Sequence, residues 1–294
     1  MNNLTQRILT ALVLIAVLLT LLFKASPLVF TGAAFIFGAL AVWELWRLVQ
    51  FQKRTALWVM LLVYGACALQ LWVLQWPWLL WSFGIIHACM SAWVLWKKPQ
   101  LAGLGTGVYG SVLLACMVYA MVVLQGLGAW VLITAMIVVW AADVGGYFFG
   151  KSIGGRLIAH GLAPSVSPKK SWEGAIGGVL LACVVSIILA LSTSATTGLQ
   201  SWVIAGVRVS DYLMDNALSV RFLLEMLIPT VVVAAYSVTG DLVESLLKRQ
   251  AGVKDSSQLL PGHGGILDRI DALIPVLPLC AAWAVAVKAG AFVQ

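Results

Sequence analysis

Long apolar runs separated by short polar stretches dominate the chain, and nine of them approach the ~20 residues a helix needs to cross a bilayer. They span residues 8–23, 28–49, 56–74, 78–96, 108–124, 129–149, 175–191, 222–238 and 273–287. The runs are apolar on every face, with no period-2 alternation, so they predict helices rather than barrel strands with polar lumen positions. The expected fold is an all-α integral membrane protein, a polytopic bundle of about nine transmembrane helices. Its first run follows Arg7 as a signal peptide would, but Lys24-Ala25-Ser26-Pro27 makes a poor cleavage site. That run is therefore read as a retained helix. Trp43, Trp46, Trp58, Trp76, Trp78, Trp93, Trp96, Trp130 and Trp172 fall near run ends, where an amphipathic ring suits the headgroup layer.

Composition removes several alternatives. Of 294 residues, 62% are hydrophobic and only 10% charged, and the mean hydropathy is +1.01. A soluble domain carries about 25% charged residues; here there is too little polar surface to cover a globule in water, which excludes a soluble enzyme and a disordered chain. The five cysteines (Cys67, Cys89, Cys116, Cys183, Cys280) are single and sit in apolar runs, without a C-x-x-C pair. A disulfide framework and a thiolate metal site are thereby excluded.

Charge sets the expected orientation. Arg7, Arg47, Lys53, Arg54, Lys97, Lys98, Lys151, Arg156, Lys169, Lys170, Lys248, Arg249, Lys254 and Arg269 fall on the side of the N-terminus. Lys24, Arg208, Arg221 and Lys288 fall on the other. The positive-inside rule then makes the N-terminus cytoplasmic, and an odd number of spans puts the C-terminus outside. The net charge of +7 becomes one basic face, suited to membrane lipid headgroups or a phosphorylated cytosolic substrate. No nucleic acid is expected, because no soluble domain is present to hold it.

Acids are costly in a membrane and therefore informative. Seven of the eleven, Asp143, Glu173, Asp241, Glu244, Asp255, Asp268 and Asp271, sit at or between the cytoplasmic ends of the last four runs. The first 128 residues hold Glu44 as their one acid. Residues 1–294 are read as a single membrane domain, with 1–128 as scaffold helices and 129–294 as the catalytic half.

Two polar segments carry the candidate chemistry. The earlier contains Asp143, glycines at 145, 146, 150, 154 and 155, and then Ser167, Lys169, Lys170, Ser171 and Glu173. Small residues permit close packing, and the lysines and hydroxyls would form a phosphate-friendly loop; a basic membrane-flanking loop is the plainer alternative. In the later segment Asp241, Glu244, Ser245 and Lys248 form one helical stripe if the eighth helix continues past Val238. Asp268 and Asp271 are read as i and i+3 on the helix opening the last span. Such hard oxygen ligands suit Mg²⁺, and the Gly262-His263-Gly264-Gly265 turn could offer backbone N–H groups to an anion. Salt-bridged loop decoration is the competing account.

The stretches Ser245-Leu-Leu-Lys248-Arg249, Lys254-Asp255-Ser256, Pro261-Gly262-His263-Gly264-Gly265 and Asp268-Arg269-Ile-Asp271 resemble the signature of the phosphatidate cytidylyltransferase (CDP-diacylglycerol synthase) family. Asp143 through Tyr147, Gly150-Lys151, Gly154, Ser167-Pro168-Lys169-Lys170-Ser171 and Glu173-Gly174 resemble its second block. The resemblance implies transfer of CMP from CTP to phosphatidic acid in a bacterial cell inner membrane, with the site facing the cytoplasm. It implies Mg²⁺, with K⁺ as a candidate assistant, held by Asp241 and Asp268. Asp143, Glu244 and Asp271 are further metal candidates. Lys248, Arg249, Lys254 and Arg269 are candidate phosphate clamps, and His263 a hydrogen-bond donor to phosphate. Ser167, Lys169, Lys170, Ser171, Ser245, Gly264 and Gly265 are candidate substrate contacts, and a homodimer is a candidate assembly. His87 is read as a satisfied intramembrane histidine and His160 as loop surface. A secondary transporter would place its charges near the bilayer midplane on interrupted helices, often in inverted repeats; here the charges crowd one edge. A polyprenyl-phosphate sugar-phosphate transferase would lack the ordered Pro-Gly-His-Gly-Gly block.

Overall fold

The computed structural model describes residues 3–50, 53–74, 78–193 and 220–288. The connection at 194–219, with Arg208, lies outside the described residues, as does Trp76. Helices follow the apolar runs: α1 (Asn3–Phe23), α2 (Pro27–Leu48), α3 (Arg54–Leu74), α4 (Trp78–Lys97), α5 (Leu104–Leu127) and α6 (Ala129–Ile153). A small antiparallel hairpin, β1 (Gly161–Ala163) and β2 (Ser167–Ser171), precedes α7 (Trp172–Thr193). Then come α8 (Val220–Gln250), the short α9 (Leu267–Ile270) and α10 (Leu273–Lys288).

Among the described residues eight helices are long and apolar enough to cross a membrane. Such segments become helical because lipid offers backbone N–H and C=O groups no partner, so the helix must satisfy them internally. Ser26 opens α2 by accepting the Val29 N–H, and Pro27 follows, where its missing N–H costs nothing. The ninth expected span is shorter: α10 has 16 residues, ~24 Å at ~1.5 Å per residue.

The core forms around α5, whose Leu114, Met117 and Val118 are fully buried with Ala41 and Val42 of α2, Met60 of α3 and Leu277 of α10. Outward positions such as Leu28, Trp58, Leu62 and Val73 are apolar and exposed, as a chain solvated by acyl tails requires. Glycine sets the α6–α7 contact. A β-carbon on Gly145 would lie 2.8 Å from the Gly177 carbonyl oxygen and 2.9 Å from Gly178 Cα. With backbone on the opposing side, no rotamer change could relieve that clash.

Three boundaries differ from the hydropathy reading, all at the polar edge. Helix α6 runs on to Ile153, so Asp143 lies within the helix rather than at its end. Helix α8 runs through the charged stripe to Gln250, giving 31 residues with Pro229 inside. Asp268 and Asp271 do not open the last span: Asp268 sits on α9, which Asp271 terminates. Hydropathy averages lose a helix where charges enter it, whereas backbone hydrogen bonding carries it onward. The turns, the hairpin and the N-terminal end of α1 meet on one face, where Thr10 donates to the Pro261 carbonyl.

Candidate active site

At this face α6, β2, α7, α8, α9 and the residue after α9 enclose a cavity of about 760 Å³. Helix α6 contributes Asp143, Gly146 and Lys151; β2 contributes Lys169, Lys170 and Ser171. Asp241 enters from α8, with Asp268 and Asp271 beside it. The rest of the wall is Tyr147 and Leu162 together with small, mostly apolar residues: Ala142, Gly150, Gly174, Ala175, Gly178, Val179, Ala234 and Val238. The cavity is amphipathic because Asp143 and Lys151 of α6 and Asp241 of α8 border the glycine-lined α6–α7 contact.

Its charges are paired across elements. Lys170 Nζ lies 2.6 Å from Asp241 Oδ2, joining the hairpin to α8, and Ser245 donates to Asp241 Oδ1 at 3.1 Å. This second contact is the i, i+4 relation expected from the stripe. Ser171 accepts the Gly174 N–H at 3.1 Å and so caps α7 while its side chain faces the cavity. Glu173 is also structural in its contacts, with Oε1 accepting from Leu157 and Ile158 N–H, each at 2.9 Å. Those bonds hold the loop between α6 and the hairpin.

Asp268 is the most connected carboxylate of the cavity. Lys248 Nζ donates to Oδ1 at 2.6 Å, while Ser256 N, Ser256 Oγ and Gly265 N donate to Oδ2 at 2.9, 3.0 and 2.8 Å. Burial alone would raise this carboxyl, but Lys248 and the two backbone N–H groups outweigh it and hold it below the usual carboxylate range. Lys248 also lies 2.5 Å from Glu244 Oε2. Its ammonium therefore stands behind the cavity wall, between two acids. Glu244 Oε1 is buried without a hydrogen-bond partner.

The Pro261–Gly265 turn serves the chain itself. Gly264 adopts φ +85° and the Gly265 N–H points at Asp268, so the anion beside this turn is an internal carboxylate. His263 is half-buried, and its Nδ1 has no partner among the described residues. Arg249, Lys254 and Arg269 are exposed, and neither they nor Ser167, Ser245, Glu244, Lys248, His263, Gly264 and Gly265 line the cavity. His87 lies apart in the bundle, hydrogen-bonded to Tyr109 and Ser91.

Sequence reasoning passed over Glu44. This residue of α2 has no exposed surface and accepts four hydrogen bonds from residues 256, 257, 266 and 267. The signal that could have marked it is its isolation: one acid in 128 apolar-rich residues is expensive unless it has partners.

Residues 5–287 match the cytidylyltransferase family. This chain is a member of that family. It is 34% identical over 307 residues to the phosphatidate cytidylyltransferase of Haemophilus influenzae, covering 94% of this chain and 96% of the relative. With the Pseudomonas aeruginosa protein of the same name it shares 34% identity over 298 residues, covering 96% and 97%. The Staphylococcus aureus (strain COL) protein of that name is 39% identical over 145 residues, 49% of this chain and 45% of the relative. As a cytidylyltransferase embedded in the membrane, the chain needs a place for nucleotide phosphates at the bilayer edge, and the cavity lies among its charged groups.

The residues fit a divalent cation, though no cage of three or more ligating side chains occurs among the described residues. Mg²⁺ commonly takes only one or two protein carboxylates and completes its shell with water and substrate phosphate. Burial pushes the Asp271 carboxyl up, and neighbouring Asp241 and Asp143 push it further, against the opposing pull of the Ala272 N–H and Lys248. A cluster in which acids raise one another is short of positive charge. Asp241, Asp271, Asp143 and Asp268 are the carboxylates lining the cavity that would ligate such a cation.

Proposed function

We propose that this cytidylyltransferase transfers the cytidylyl group of CTP to phosphatidic acid at the cytoplasmic face of a bacterial inner membrane. The observation that carries the reading is the amphipathic cavity, which acids and lysines line together with small apolar residues, Leu162 and Tyr147. A nucleotide alone would not call for apolar walls, and a lipid tail alone would not call for charged ones. A lipid whose phosphate meets a nucleotide triphosphate needs both. The names of the relatives support the same acceptor.

An oxygen of the phosphatidate phosphate attacks the α-phosphorus of CTP, and the bond from that phosphorus to the β-phosphate bridging oxygen breaks. The products are CDP-diacylglycerol and pyrophosphate. No general base is needed, because the attacking phosphate is already ionised near neutral pH. Lys169 and Lys170 line the cavity, where they would neutralise phosphate charge. Lys170 is held in place by Asp241, so its ammonium is oriented before substrate arrives. Asp241 and Asp268, with Asp143 and Asp271, would hold Mg²⁺, which when bound withdraws charge from phosphate oxygens. Orientation follows the basic face: the cavity shares its side with the fourteen lysines and arginines predicted to be cytoplasmic.

The test is direct. Purified protein in detergent, given labelled CTP, phosphatidic acid and Mg²⁺, should form a chloroform-soluble nucleotide lipid and release pyrophosphate in equal amount. Label that stays in the aqueous phase with phosphatidic acid but moves to another lipid acceptor would replace the substrate assignment.

A further inference from the structure

We propose that Glu44 is a positioning residue for cytidylyl transfer, holding from α2 the loop that presents Asp268 to the cavity. Each of its oxygens takes one hydroxyl and one backbone N–H. Oε1 accepts from Ser257 Oγ at 2.5 Å and Ile266 N at 2.9 Å; Oε2 accepts from Ser256 Oγ at 3.0 Å and Leu267 N at 2.7 Å. Among the described residues no lysine or arginine pairs with it. A buried carboxylate without a cation is costly unless several donors converge on it, and here Ser257 Oγ and two backbone N–H groups do so, joined by the Ser256 hydroxyl whose single proton Glu44 shares with Asp268.

That set of donors demands a carboxylate. Glutamine has one acceptor oxygen and one NH₂ group. In either orientation its NH₂ would face the Ile266 or the Leu267 N–H, and a backbone donor cannot turn away as a hydroxyl can. Ser256 Oγ lies 3.0 Å from both Glu44 Oε2 and Asp268 Oδ2, so the two acids share one hydroxyl proton and the positioning acid abuts the cavity acid. Gly265 leaves the space for this arrangement, since a β-carbon there would lie 2.7 Å from both Glu44 oxygens. The Ile266 and Leu267 N–H groups open the short helix that carries Asp268, so their direction sets where that carboxylate points.

The role of Asp268 rests on the function proposed above, whereas the loop clamp rests on geometry alone. Glu44→Gln in the full-length protein tests both, with two readouts. Amide hydrogen exchange across residues 256–267 should rise by about tenfold or more while α5 stays protected, since the bonds to Glu44 limit local opening. Turnover per folded molecule should fall by about 10- to 100-fold, as for a small misplacement of a reacting constellation, with KM for CTP and phosphatidic acid changing less than about threefold. Ser257→Ala removes one of the four donors without touching Asp268, and should shift both readouts in the same direction by less. It decides the matter if Glu44→Gln does not fold. A folded Glu44→Gln with parental turnover, or a fall in melting temperature with unchanged turnover per folded molecule, overturns the proposal. Failure of the parent protein to form CDP-diacylglycerol would instead overturn the substrate reading, and the exchange pattern would still report on the clamp.

Discussion

Asparagine at 241 and at 268 removes the same charge from two different settings, and the structure separates the consequences. Asp268 accepts from Lys248 and two backbone N–H groups and shares the Ser256 hydroxyl proton with Glu44, and asparagine has one acceptor oxygen for them. If that oxygen stays with Ser256 and Gly265, the new NH₂ faces the Lys248 ammonium, which lies 2.6 Å from Oδ1 in the parent. In the reverse orientation it faces the two backbone N–H groups. Either arrangement leaves a buried donor unpaired, at about 1–3 kcal/mol. Lys248 keeps Glu244 at 2.5 Å, so the cost stays below the ~3–5 kcal/mol of a stranded buried charge. Asp241 is a third exposed, with Lys170 and Ser245 as partners, and a pair so placed contributes about 1 kcal/mol at most. Asp268→Asn should therefore unfold several degrees below the parent, and Asp241→Asn within a degree or two. Both should lose turnover by about 100-fold or more, the scale for deleting one preorganised electrostatic contact. Thermal unfolding in detergent alongside conversion of labelled CTP separates the cases. Near-normal turnover in Asp241→Asn would remove that residue from the metal set, and parental stability in Asp268→Asn would refute the lock on Asp268.

Three further outcomes are expected. Asp271 has a raised carboxyl, so its contribution to stability is present below the unfolded value of about 4 and is lost as pH rises through the folded one. In EDTA, Asp271→Asn should be more stable than the parent at pH 8 and indistinguishable from it at pH 4, as read by thermal melts; equal melts at both would refute the crowding of acids. Gly145→Ala should cost about 1–3 kcal/mol and lower activity by splaying α6 from α7, whereas Gly126, with nothing within 4 Å of its β-carbon position, should accept alanine without loss. For topology, Ser256 is buried and unsuited to labelling. Cysteines at exposed Gln258 and Lys24, with Cys89 replaced by alanine, should react with an impermeant maleimide from the cytoplasmic and the outer side respectively. The opposite pattern would invert the orientation.

Much of this protein is local and therefore readable from its sequence. An apolar run in lipid has no lower-energy course than a helix, so the spans follow from hydropathy alone. The stripe of Asp241, Glu244, Ser245 and Lys248 follows from 3.6-residue periodicity once α8 continues, and the structure shows that it does. The polar motifs that mark a cytidylyltransferase lie in two short segments, within reach of direct inspection. Tertiary packing decided how the charges pair. Lys170 meets Asp241 across the hairpin, and Lys248 faces Asp268 rather than the cavity. The Gly265 N–H turns to an internal acid, and Glu44 reaches backbone groups 222 and 223 residues away. Periodicity places a charged side chain on a face of its own helix. Which donors arrive opposite it depends on how closely glycine-lined helices approach and where loops cross, and those relations join segments that share no local pattern.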